Sequence, residues 1–144
     1  MDCGQFHAML ASALAACLAA SPSGAGERIV SGPVEARILD VIDGDTVRAA
    51  AFVWPGHEVT VSVRIRGIDA PEMRSGCEEE KRAALDARAA LSGILGDGAV
   101  MLRAIEGDKF FGRVLADVET ADGSAVAATL LSRDLVRPYK GGRR

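Results

Sequence analysis

Five side chains in this sequence carry chemistry that belongs together: Asp45, Arg64, Asp69, Glu72 and Arg113, set in Asp43-Gly44-Asp45-Thr46, Asp69-Ala70-Pro71-Glu72 and Gly112-Arg113. Asp45 and Asp69 suit a hard divalent cation, because Ca²⁺ takes carboxylate and carbonyl oxygens in irregular geometry. Glu72 has the chemistry to take a proton from water. The guanidiniums of Arg64 and Arg113 can each grip a phosphate with two N–H donors and stabilise the negative charge that develops as water adds to phosphorus. Each piece alone is ordinary. Asp-Gly-Asp is usually only a turn, and Pro71 stiffens a loop whatever the loop does. The ordered set points to metal-dependent phosphodiester cleavage.

Short strands must carry these residues. Apolar patterning predicts strands over 36–42, 46–53 and 58–68; in the third, Val59, Val61, Val63 and Ile65 alternate with Thr60, Ser62, Arg64 and Arg66. That alternation puts Arg64 and Arg66 on the face opposite the apolar row, where one of them can be a solvated strand residue. Trp54-Pro55-Gly56 is the turn before it. Ser75 and Glu78 fit a capping box, and Ala84, Ala87, Leu91, Ile94 and Leu95 mark one face of the helix that follows. The acidic run Glu78-Glu79-Glu80 suits the positive end of that helix and is not read as a ligand set. Strands at 99–105 and 113–118, a turn at Asp122-Gly123 and a helix over 124–135 complete the pattern. The expected fold is α+β, mainly β: a five-stranded barrel of the OB type with two to three helices.

On these motifs the chain resembles the thermonuclease (staphylococcal nuclease-like) family over residues 36–139. The matching stretches are Val41-Ile42-Asp43-Gly44-Asp45-Thr46-Val47, Arg64 with Gly67-Ile68-Asp69-Ala70-Pro71-Glu72, Phe111-Gly112-Arg113, and Leu135 through Tyr139. The resemblance implies an OB-fold barrel with a Ca²⁺-dependent endonuclease site that cuts DNA and RNA to 3′-phosphate ends, largely without regard to sequence. It implies Asp45, Asp69 and the backbone carbonyl of Ala70 as calcium ligands, Asp43 as a nearby acid ordering water around the ion, Arg64 and Arg113 as catalytic arginines, and Glu72 as general base. Tyr139 falls where the family has a tyrosine near the terminal phosphate, and Lys109 where a lysine meets an outer phosphate. Departures are local. Ala70 stands for a threonine, Phe111 for a tyrosine, and an extra residue in Asp108-Lys109-Phe110-Phe111-Gly112-Arg113 shifts Asp108 and Lys109 outward.

Composition bounds the rest. The 144 residues suffice for one domain with a core, and 49% hydrophobic with 26% charged residues is ordinary globular usage. A net charge of −3 argues against a polyanion binder that works by charge alone, although Arg133, Arg137, Lys140, Arg143 and Arg144 face only Asp134 near the end. Residues 1–26 read as a signal peptide or lipoprotein leader: an apolar run at 8–20, too short to span a bilayer, precedes the first basic residue, Arg28. The acidic Asp2 departs from the usual basic start of such a leader. Leu14-Ala15-Ala16-Cys17 resembles a lipobox, so Cys17 is a candidate for acylation and membrane anchoring. Residues 27–33 read as a linker and 34–144 as the nuclease-like domain, exported to the periplasm or beyond. Cys77 is expected to pack at a helix start, His7 and His57 have no assigned role, and the expected state is a monomer without an evident protein partner. The alternative is a non-catalytic OB-fold module binding single-stranded nucleic acid or a protein. Aromatic residues are only 4% of the chain, with Phe110, Phe111 and Tyr139 the few suited to stacking, and this favours the enzyme.

Overall fold

Alternating and β-branched residues produce five strands that close on themselves: β1 (Val34–Asp43), β2 (Thr46–Trp54), β3 (His57–Ile65), β5 (Ala99–Gly107) and β6 (Arg113–Thr120), in the barrel order β1-β2-β3-β6-β5. A two-residue strand, β4 (Ile68–Asp69), follows β3 and pairs with β7 (Arg137–Pro138) near the end of the chain. Two helices, α1 (Glu78–Leu95) and α2 (Val126–Ser132), complete a computed structural model that describes residues 28–141. The expected mainly-β, OB-type barrel is the observed architecture. The leader at 1–26, with Cys17, lies outside the described residues.

The inward residues of the strands and the apolar stripe of α1 make one core. Val47, Ala49, Val63, Ile65, Val100, Leu102 and Ala116 meet Ala87, Leu91 and Leu95, all nearly sealed from solvent. Alanines 49 to 51 are all buried, and their small size lets β2 lie close to neighbours on both faces. Ile94 packs at the margin of the core. The Arg88 Nε–H donates to the Val41 carbonyl at 2.8 Å, tying α1 to β1.

Three local expectations are corrected. The third strand does not run to Ile68: Gly67 turns with φ +83°, and Ile68 and Asp69 start a separate ladder. Ser75 does not cap α1. Cys77 is the cap residue, exposed and without a side-chain bond, while the Ser75 hydroxyl accepts the Cys77 N–H at 3.2 Å and donates to Glu80. The third residue of the helix is therefore Glu80, whose carboxylate reaches back over the preceding loop. The last helix is shorter than 124–135, ending at Ser132 because Asp134 takes a left-handed φ of +55°.

Strand directions give the barrel two unlike ends. The β1–β2 turn, the start of β4 and both helices share one end. The β2–β3 turn, the β5–β6 turn and Val30, bridged to Ile105, share the other.

Candidate active site

The Asp43-Gly44-Asp45 turn sits at the helical end, and space rather than φ demands its glycine. A Cβ on Gly44 would lie 2.7 Å from Cβ of Ala87 and 2.8 Å from Cβ of Ala70. The turn is thus clamped between α1 and the loop after β4, which brings Asp45 against Ala70. Asp45 is 3% exposed. Its Oδ2 accepts the Ala70 N–H at 2.7 Å, and its Oδ1 accepts the Thr46 hydroxyl at 2.8 Å and pairs with Nη1 of Arg64. The cross-strand register Thr46↔Arg64 explains why that guanidinium is in reach. From its other side, Arg64 Nη2 donates to Asp69 Oδ1 at 3.0 Å and to the Ile68 carbonyl at 3.1 Å.

Arg64 is therefore held between two carboxylates. Burial works against ionising Asp45, but the Ala70 N–H and the Arg64 guanidinium outweigh it and hold the carboxyl below the usual carboxylate range. Burial likewise works against the charge on Arg64, and Asp45 and Asp69 outweigh it to push its pKa up. Asp43 goes the other way. Burial first, then the hydrogen bond and charge of Asp45, push its pKa up, although its Oδ1 accepts the Asp45 N–H at 3.2 Å.

The end of the chain joins this cluster through the β4–β7 ladder. The registers Ile68↔Pro138 and Asp69↔Arg137, with the Tyr139 N–H donating to the Gly67 carbonyl at 2.9 Å, bring the Tyr139 ring to 5.8 Å from the Arg64 guanidinium carbon. Asp69, Ala70, Glu72 and Tyr139 line a cavity of about 1030 Å³ together with residues of α1 and the segment from Asp134 to Pro138. Glu72 is exposed, and its backbone N–H is 3.5 Å from Oε1 of Glu80.

Arg113 belongs to a second cluster on the same sheet face. In the parallel β3–β6 register Arg113 pairs with Ser62, which shares a face with Arg64 two residues on. The two arginine backbones are about 7 Å apart along the strands and about 4.8 Å across them. Gly112 turns into β6 with φ +77°, a conformation that favours glycine. Asp108 binds the Arg113 Nε–H, and the two residues also share a backbone bond of 3.0 Å, so the extra residue in this turn has not carried Asp108 away. The Arg113 guanidinium carbon lies 4.4 Å from the Phe110 ring centre, and the exposed Lys109 ammonium 5.2 Å from the same ring. Arg66 is not a solvated strand residue: it pairs with Glu106 and, at 3.3 Å, with Asp117.

The structure thus brings together Asp43, Asp45, Arg64, Asp69, Ala70 and Tyr139, sets Glu72 at the adjoining cavity, and leaves Arg113 and Lys109 in a neighbouring cluster. Sequence reasoning missed Asp108 as the partner of Arg113 and Glu80 as the support of the Glu72 loop. The spacing from Asp108 to Arg113 across a glycine turn was a usable signal; nothing local singled out Glu80 from its acidic neighbours. Among the described residues no three His, Cys, Asp or Glu side chains converge in a metal-holding group. The donor set is all oxygen, and three carboxylates against the single guanidinium of Arg64 leave net negative charge. That chemistry fits a hard divalent cation drawing much of its shell from water and substrate. Neither a family model nor a curated protein sequence matches the chain.

Proposed function

We propose that this protein is a calcium-dependent endonuclease of the thermonuclease type, hydrolysing phosphodiester bonds of DNA and RNA to 3′-phosphate products. The observation that carries the reading is Arg64 held between Asp45 and Asp69, on the same sheet face as Arg113. The carboxylates of Asp45 and Asp69 and the carbonyl of Ala70 would hold Ca²⁺, with Asp43 ordering water nearby. When bound, the ion supplies neutralising charge at a phosphate oxygen. Glu72, lining a cavity roomy enough for a nucleotide, takes a proton from the attacking water. The new O–P bond forms in line with the bond to the 5′ oxygen, which breaks; the 5′ oxygen takes a proton from solvent and departs as a hydroxyl, leaving the phosphate on the 3′ side. Arg64 and Arg113 stabilise the five-coordinate phosphorus between these events. Carboxylate contacts hold Arg64 rigid, and Asp108 with the Phe110 ring does the same for Arg113, so little reorganisation is needed as charge develops. Tyr139 and Lys109 are placed in the proposal as contacts to flanking phosphates. Among the described residues the groups placed at the site are guanidiniums, carboxylates and an ammonium rather than a base-reading set, so cleavage should follow phosphate access rather than sequence. With the leader read as an export signal, the substrate is nucleic acid outside the cytoplasm.

The test is digestion of single-stranded DNA, duplex DNA and RNA side by side, with Ca²⁺ and with chelator. The proposal expects cleavage of all three in Ca²⁺, favouring unpaired regions, 3′-phosphate ends, and loss of activity in chelator. Equal activity in chelator, or binding without cleavage, would replace it with the reading of a non-catalytic nucleic-acid-binding module.

A further inference from the structure

Among the described residues no helix covers the end of the barrel opposite α1 and α2, and three segments are exposed there. The β2–β3 hairpin carries Phe52, Val53 and Trp54; the β5–β6 turn carries Phe111; and the chain entering the barrel carries Ile29 and Val30. Trp54 is 71% exposed and Phe111 reaches 109%, values of side chains standing clear of their surroundings. Single exposed hydrophobic residues are ordinary. Six gathered at one end from three separate segments mark an interaction surface.

We infer that this end of the barrel docks on the surface of a lipid bilayer. The side chains sit on projecting tips rather than in a groove, and tips enter a deformable apolar medium without needing a matching pocket. Tryptophan is enriched where membrane meets water, because its ring is apolar and its N–H is polar. The guanidinium of Arg37 near the hairpin is paired with Glu58 at 3.4 Å, and beside six apolar side chains the exposed Lys109 of the β5–β6 turn is a minor charge, so the attraction is mainly apolar and zwitterionic lipid suffices. The position of the leader agrees. The chain enters the barrel at this end, and Cys17 and the apolar run at 8–20 precede Arg28 by so few residues that the extended reach from Cys17 is at most about 40 Å. Among the described residues no helix is long and apolar enough to cross a membrane. Docked this way, the helical end and the cavity beside Glu72 point away from the lipid. The inference uses the exposed rim and does not depend on the nuclease reading.

Trp54 is the single tryptophan of the chain, so its fluorescence reports this surface alone. The experiment mixes the full chain with phosphatidylcholine vesicles, plain and with brominated acyl chains. The expected result is a blue shift of Trp54 emission and quenching by the bromines. Phe52→Ser with Val53→Ser should lower vesicle partitioning by roughly tenfold or more while leaving cleavage of a soluble oligonucleotide unchanged. Failure to bind vesicles overturns the inference, as does binding through the leader with Trp54 unshifted and unquenched. A Trp54 shift that follows protein concentration without lipid assigns the surface to a second copy, and one produced by single-stranded oligonucleotide instead of lipid assigns it to nucleic acid; either also overturns it. Digestion of soluble DNA is scored separately, so the two proposals fail independently.

Discussion

A buried carboxylate needs a partner, and Asp45 has Arg64. Removing the guanidinium in Arg64→Ala leaves Asp45 charged and uncompensated in a site 3% exposed, which should cost about 3–5 kcal/mol of stability. Urea unfolding checks this, and adding Asp45→Asn should recover part of the loss if charge rather than packing is responsible. Asp43 and Asp45 respond oppositely to pH. Asp45 has its pKa lowered by folding, so its pairing stabilises the fold fully above about pH 4 and is lost as pH falls through the depressed value. Asp43 has its pKa raised, so the favourable balance lies on the acid side and is lost as pH rises through the raised value. Asp43→Asn keeps an oxygen to accept the Asp45 N–H. It should therefore raise the thermal midpoint of the calcium-free protein at pH 7, with the gain vanishing below about pH 4; an unchanged midpoint at pH 7 would contradict the assignment.

At the scale of elements, the site depends on how closely α1 approaches the β1–β2 turn. Gly44→Ala forces a Cβ into the two methyls of Ala70 and Ala87 and should destabilise by about 1–3 kcal/mol. Gly93 lies in α1 with open space around it, so Gly93→Ala should stabilise by about 0.5–1 kcal/mol. Denaturant midpoints of the two variants moving in opposite directions would establish the clamp. The same elements show what was legible in advance. β3 announces itself through alternation, because a barrel strand with one buried side keeps a period of two, and α1 through the Ala84, Ala87, Leu91, Leu95 stripe that does bury. The two-residue strands β4 and β7 are too short to carry a period, so the ladder that delivers Tyr139 to Arg64 could be read only as an endpoint of the resemblance. The helix start was misread by two residues because Ser75 and Glu78 satisfy the local rule, whereas Glu80 makes the bond to Ser75 that the fold uses. Asp108 was placed outward by counting residues; the turn absorbs the extra one and keeps its carboxylate on Arg113.

For the whole molecule, a net charge of −3 sets long-range repulsion against the few cations that can meet phosphate. With roughly three cations, Arg64, Arg113 and Lys109, meeting phosphates, the logarithm of single-strand affinity should fall with that of salt at a slope of about −2. Titrations at several salt concentrations measure it, and a much steeper slope would mean that more cations than these three meet the strand, Arg137 beside Asp69 first among them. The central claim is that Glu72 activates water beside a calcium and arginine cluster. Its most direct test is single-turnover cleavage of an end-labelled single-stranded oligonucleotide by the parent and by folded Glu72→Gln in saturating Ca²⁺. Glutamine keeps the size and hydrogen bonding but cannot take the proton, so the rate should fall by about 10²–10⁴ with oligonucleotide affinity unchanged. Cleavage by Glu72→Gln at the parent rate would contradict the account.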